Sequence, residues 1–124
     1  MTNVLLVALG GMAGSVARYW IVSWVQFHTG SPFPFGTLVV NIAGSFVLGL
    51  LVALTIERGE LGTHARLLLG VGFCGGFTTM STFGYETIAL MRDGAFAAGI
   101  GNVLLSLATC LAAVWLGGVI GRQW

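Results

Sequence analysis

The chain has 124 residues, of which 56% are hydrophobic and 7% charged, with a mean hydropathy of +0.96 and a formal net charge of +1. So few polar side chains cannot cover a soluble globule of this size, and a near-neutral balance excludes the basic footprint of a nucleic-acid binder. A helix crosses the hydrocarbon core with about 20 apolar residues, so the length suits four crossings joined by short loops: an all-α membrane protein with one domain over residues 1–124.

The first span is expected at Val4–Val25 and contains "GGMAGSVARYW", Gly10–Trp20. No small-residue cleavage site follows it, so a removable signal peptide is not expected. Arg18, near its end, either snorkels to the interface or lends positive potential to a water-filled vestibule. "FHTGSPFPFG", Phe27–Gly36, holds both prolines and marks a loop, after which a second span is expected at Phe35–Ile56. Thr37, Asn41 and Ser45 recur there every four residues and share one helical face. Asn41 is the sharpest of them, because a carboxamide deep in a membrane is costly without a partner or water.

"ERGELGTH", Glu57–His64, separates the second span from a third at Ala65–Met91, and "RDG", Arg92–Gly94, turns the chain into a fourth at Ala95–Val119. The third span contains "GFCGGFTTMSTFGYE", Gly72–Glu86. Two glycines before two β-branched threonines make a poor local helix. An opening at that point would turn backbone carbonyls outward, where they suit a hard cation such as Na⁺; the alternative is a kink repaired by threonine hydroxyls. One chain offers too few oxygens for a cation, so such a site is expected on a dimer axis. The fourth span repeats the striping with Asn102, Ser106 and Thr109. Three polar stripes point to a pathway lined by neutral hydrogen-bonding groups, although each residue singly has a plain alternative in bonding across helices or to its own backbone.

Gly10 and Gly14, Gly72 and Gly76, and Gly117 and Gly121 have the small-xxx-small spacing that lets helices approach closely in lipid. Cys74 and Cys110 fall in different spans, far in sequence from any metal-ligand spacing, and read as buried thiols rather than a disulfide or zinc site. No constellation for catalysis is present, so an enzyme is not expected. Arg58, Arg66 and Arg122 fall on one side, with Arg92 and Arg18 on the other, so positive charge scarcely selects an orientation. Two readings follow: insertion in both orientations, with opposite copies pairing, or a single orientation set by one arginine or by a partner.

The segments Gly10–Trp20, "FGTLVVNIAGSFVLG" (Phe35–Gly49) and "GFCGGFTTMSTFGYET" (Gly72–Thr87) together resemble the CrcB/Fluc family of fluoride channels, in order and spacing, over essentially the whole length. The resemblance implies a passive, fluoride-selective channel in the plasma (inner) membrane of a bacterial type. It implies an antiparallel, dual-topology homodimer surrounded by lipid, with the third helix broken mid-membrane. By position, the carbonyls of Gly75 and Thr78 would hold a structural Na⁺ between subunits. Asn41, Ser81, Thr82 and Ser106 would line the anion path, with Arg18 in its vestibule. The family's two phenylalanines, which meet the anion with their ring edges, are represented here by Phe83 and, in a departure, Met80. The alternative is a small four-helix, dual-topology drug or metabolite antiporter. That class calls for an acidic residue in the first span, where this chain has none. A third alternative is a non-conducting assembly subunit.

Overall fold

The computed structural model describes residues 1–124, all helical apart from turns and short links. Four stretches are long and apolar enough to cross a membrane: Thr2–Thr29, Phe35–Glu57, Thr63–Arg92 and Phe96–Gln123. These lie within four residues of the spans expected from hydropathy, and the excess is mostly polar ends such as His28 and Gln123 that continue a helix beyond its apolar stretch. The first, second and fourth stretches are here α1, α2 and α5, and α2 ends in a wider, π-helical turn over Ala53–Glu57. The third holds α3 (residues 63–77), π-helical over Arg66–Cys74, and α4 (Met80–Arg92). Between them Thr78 (φ −86°, ψ 159°) and Thr79 (φ −152°, ψ 118°) are extended.

Local chemistry sets the connections. Helix α1 stops at Gly30, whose φ of 57° suits glycine and whose N–H returns to the Gln26 carbonyl at 3.0 Å. The Gln26 amide then donates to the carbonyls of Ser31 and Phe33, fixing the loop before the second proline. Gly94, with φ of 83°, makes the turn from α4 to α5, where the Ala95 N–H closes on the Leu90 carbonyl at 2.9 Å. At the opposite end, Arg122 of α5 meets both carboxylate oxygens of Glu57 at 3.2 Å, and Arg58 donates to the Arg122 carbonyl.

Helix α1 packs along α3, and α2 packs along α5. In lipid no hydrophobic force drives such pairings, so close backbone contact has to supply the attraction. A Cβ at Gly10 would strike the Leu68 carbonyl, and one at Gly72 would come within 2.8 Å of the Val7 carbonyl. The second seam is built the same way: a Cβ at Gly117 would strike the Phe46 carbonyl, and one at Gly49 the Val114 carbonyl. All three small-xxx-small pairs therefore serve contacts within the chain. Large apolar side chains such as Trp20, Trp24, Leu111 and Trp115 remain exposed, facing where lipid would lie.

Candidate functional site

Asn41, on α2, makes both of its strong hydrogen bonds to one residue. Its Oδ1 accepts from the Thr79 N–H at 2.8 Å and its Nδ2 donates to the Thr79 carbonyl at 3.1 Å. The carboxamide thus stands in for a neighbouring peptide group and holds Thr79 extended. In an unbroken helix that N–H would go to the Gly75 carbonyl, four residues back; its diversion to Asn41 releases the Gly75 oxygen from the ladder.

The extended residues therefore sit after the glycines, not at them. Gly75 has φ −62° and ψ −39°, ordinary helical values. Within the Gly-Gly to Thr-Thr stretch where an opening is expected, the extended residues are the two threonines, and the cause is physical. Gly76 lies against the Gly11 backbone, where a Cβ would strike the Gly11 carbonyl, so it serves the α1 seam while Asn41 draws out Thr79.

Thr79 also starts α4. Its hydroxyl accepts from the Thr82 N–H at 3.2 Å, an N-cap, and donates to the Thr82 hydroxyl at 3.1 Å, with the Ser81 hydroxyl 3.3 Å away. Across the interruption, Arg18 donates from Nη1 to the Thr78 carbonyl at 3.0 Å, and the Thr78 hydroxyl bonds back to the Cys74 carbonyl. Both polar backbone groups of Thr79 and the carbonyl of Thr78 thus have side-chain partners from α1 or α2.

A second chain of bonds runs from α5 to α4. The buried Ser106 hydroxyl donates to Asn102 Oδ1 at 3.4 Å, Asn102 Nδ2 donates to the Thr87 hydroxyl at 2.9 Å, and that hydroxyl donates to the Phe83 carbonyl at 2.7 Å. One turn further along α4, Glu86 Oε1 accepts from the buried Thr37 hydroxyl at 3.0 Å, while Oε2 is buried with no partner.

A cavity of about 340 Å³ opens beside the interruption. Of the residues expected to form a site, Asn41, Gly75, Thr78, Met80, Phe83 and Ser106 all line it. Ser81 and Thr82 gather instead around the Thr79 hydroxyl, and Arg18 reaches Thr78 from α1. The wall combines amide and hydroxyl groups with the apolar surfaces of Leu48, Met80, Phe83 and Leu107. Sequence reasoning did not single out the role of Thr79, although threonine is a favoured N-cap residue at a helix start. It also set apart Cys74 and Cys110, which share this cavity. No spacing could reveal that, because the two lie on different helices.

Residues 5–118 match the family model described as CrcB-like protein, Camphor Resistance (CrcB). A Chlorobaculum tepidum protein named fluoride-specific ion channel FluC is 49% identical over 124 residues, covering 100% of this chain and 98% of that protein. One of the same name from Solibacter usitatus is 46% identical over 119 residues, covering 96% of this chain and 98% of that protein. A third, from Methylococcus capsulatus, is 44% identical over 121 residues, 98% of this chain but 53% of that longer protein.

Proposed function

The chain belongs to the CrcB family, and on that premise we propose that it is a passive, fluoride-selective channel that lets the anion leave the cell across the plasma membrane. The observation that carries this reading is the cavity beside Thr78 and Thr79, whose wall offers neutral donors and apolar surface together. The antiporter alternative finds no support among relatives named as fluoride channels.

Fluoride is small and strongly hydrated, so a selective path must replace its water with good donors in a narrow space. Asn41 Nδ2 spends one hydrogen on Thr79 and keeps a second for an anion. The Ser106 hydroxyl, held to Asn102 by a long bond of 3.4 Å, can turn its proton to a passing ion at small cost. Met80 and Phe83 supply the apolar side. Neutral donors let the ion go as readily as they take it up. Because HF crosses membranes and ionises inside, a passive path under a negative interior potential expels the anion.

We further propose that the Thr78–Thr79 interruption lies at mid-membrane on the axis of an antiparallel, dual-topology homodimer, with a structural Na⁺ there. The residues fit a hard cation. Gly75 has a carbonyl released from the helix, and the Thr78 carbonyl keeps a lone pair beyond its bond to Arg18. Bound Na⁺ would supply positive charge to carbonyl dipoles that the helix no longer pairs. Arg18 supports the same end of the site and lends positive potential to the approach.

The decisive experiment is fluoride efflux from liposomes containing the purified protein, with valinomycin clamping a potassium gradient and chloride as control. Rapid fluoride efflux with no chloride efflux is expected. Absence of fluoride efflux, or efflux that demands a proton gradient, overturns the channel reading.

A further inference from the structure

Arg18 lies half-buried on α1 and donates from Nη1 to the Thr78 carbonyl at 3.0 Å. It has no carboxylate partner, since the chain's ion pairs are Arg58–Glu60 and Arg122–Glu57. A full positive charge thus rests on one of the two carbonyls assigned above to a hard cation. An ion on the Thr78 oxygen at the usual distance for such a cation, about 2.4 Å, lies no further than about 5.4 Å from that nitrogen. We infer, on the proposal of a cation at this interruption, that Arg18 sets the valence of the site: it admits a monovalent cation and excludes a divalent one of the same size.

Size cannot make this choice, because Na⁺ and Ca²⁺ have nearly equal radii and both take oxygen ligands. Charge can. The repulsion between Arg18 and a bound ion doubles when the ion's charge doubles, so the factor by which Arg18 weakens a monovalent ion is squared for a divalent one. At this separation and an effective dielectric constant of about 20, one arginine gives factors of about a hundredfold and about ten-thousandfold. Nothing on the donor side offsets the second charge. Gly75 and Thr78 offer neutral carbonyls, the Thr78 hydroxyl is turned to the Cys74 carbonyl, and no three His, Cys, Asp or Glu side chains gather anywhere in the chain. Glu86, the acidic residue nearest to Thr78 in the sequence, is turned to the Thr37 hydroxyl. Protein sites for Ca²⁺, by contrast, draw on carboxylates. Arg18 therefore acts on one oxygen in two ways. Its N–H fixes the direction of the carbonyl, which serves every cation alike and cancels when two ions are compared; its charge opposes them according to valence and does not cancel.

The test reads the melting temperature of the full chain, purified in detergent with N-methylglucamine chloride, as sodium chloride or calcium chloride replaces that salt at constant ionic strength. An ion that binds only the folded protein raises the melting temperature with its concentration. The parent should be stabilised by Na⁺ and not by Ca²⁺. Arg18→Gln, which keeps an N–H donor without the charge, should gain at least about tenfold more affinity for Ca²⁺ than for Na⁺. Arg18→Lys, which keeps the charge, should reject Ca²⁺ as the parent does. A parent stabilised by Ca²⁺ as strongly as by Na⁺, or an Arg18→Gln variant that responds to Na⁺ and still ignores Ca²⁺, overturns the role of Arg18 and leaves the cation site standing. A parent indifferent to both ions overturns the cation reading and this inference with it. Comparing two ions on the parent needs no variant, so a substitution that fails to fold cannot shield the inference.

Discussion

The α1–α3 and α2–α5 seams are backbone laid against backbone, whereas the Thr78–Thr79 interruption is held by side chains reaching over from other helices. At Gly10, Gly14, Gly72 and Gly117 a single methyl would collide with a neighbouring carbonyl or come unusually close to one. At Thr79, by contrast, the donor and acceptor of one peptide are both met by Asn41. The seams contain nothing that an ion could use and nothing that can adjust. The interruption is made of groups that hold hydrogens and lone pairs, and Asn41, which holds the Thr79 backbone, also lines the cavity. Stability here comes from shape along the seams and from hydrogen-bond satisfaction at the interruption, and only the second arrangement leaves chemistry available for a passing anion.

The sharpest way to break the seams is Gly14→Leu, whose side chain would be driven into the Phe73 carbonyl. Backbone cannot yield as a side chain does, so the cost should exceed about 3 kcal/mol, the upper end of ordinary overpacking. The expected outcome is loss of the monodisperse peak on size-exclusion chromatography, and a variant with unchanged melting temperature would show that the seam tolerates bulk. Asn41→Leu tests the other region. It orphans the Thr79 N–H and carbonyl together, at about 3 kcal/mol for two backbone groups losing their partners. Fluoride efflux should fall at least about tenfold, the equivalent of 1.36 kcal/mol on a barrier. Asn41→Asp separates the two roles of the amide, because it keeps the acceptor for the Thr79 N–H but removes the donor; folding should survive better than flux.

Asn102→Leu should be milder, about 1–2 kcal/mol by differential scanning fluorimetry, and should lower efflux only severalfold. Thr87 keeps its bond to the Phe83 carbonyl, and Ser106 can bond back to its own helix. An effect as large as that of Asn41→Leu would place the Ser106–Asn102–Thr87 chain on an equal footing with the Asn41 bridge.

The two regions were not equally legible in the sequence. Spacing of four between glycines carries the seams directly, because close approach needs a missing side chain and the helix repeats its face every turn. The polar stripes likewise placed Asn41 and Ser106 on inward faces. The partner that Asn41 meets was not legible. Propensity marks the whole Gly-Gly to Thr-Thr stretch as poor helix, whereas the bonds from Asn41 decide which of its residues are extended, Thr78 and Thr79. The resemblance puts Ser81 and Thr82 beside the anion path, whereas here their hydroxyls gather around that of Thr79. Cys74 and Cys110 show the same limit: a cavity wall shared across helices leaves no trace in spacing along one.

The smallest expected effect concerns Met80, which lines the cavity and is 72% exposed within the chain. Its neighbour Phe83 lines the same wall, and one turn of α4 separates the two. A phenyl edge is electropositive and adds about 0.5–1.5 kcal/mol to contacts in which its quadrupole is well placed. A thioether is polarizable but offers no such edge. If fluoride meets this wall in its slowest step, Met80→Phe should raise efflux by about two- to tenfold, by the same conversion of energy to rate. Because the side chain is exposed and spans no seam, the melting temperature should barely move, which separates an effect on the ion from one on packing. Efflux that stays equal or slows in Met80→Phe would mean that the ring edge does not help the ion at this position, and that Met80 acts on the path through its bulk alone.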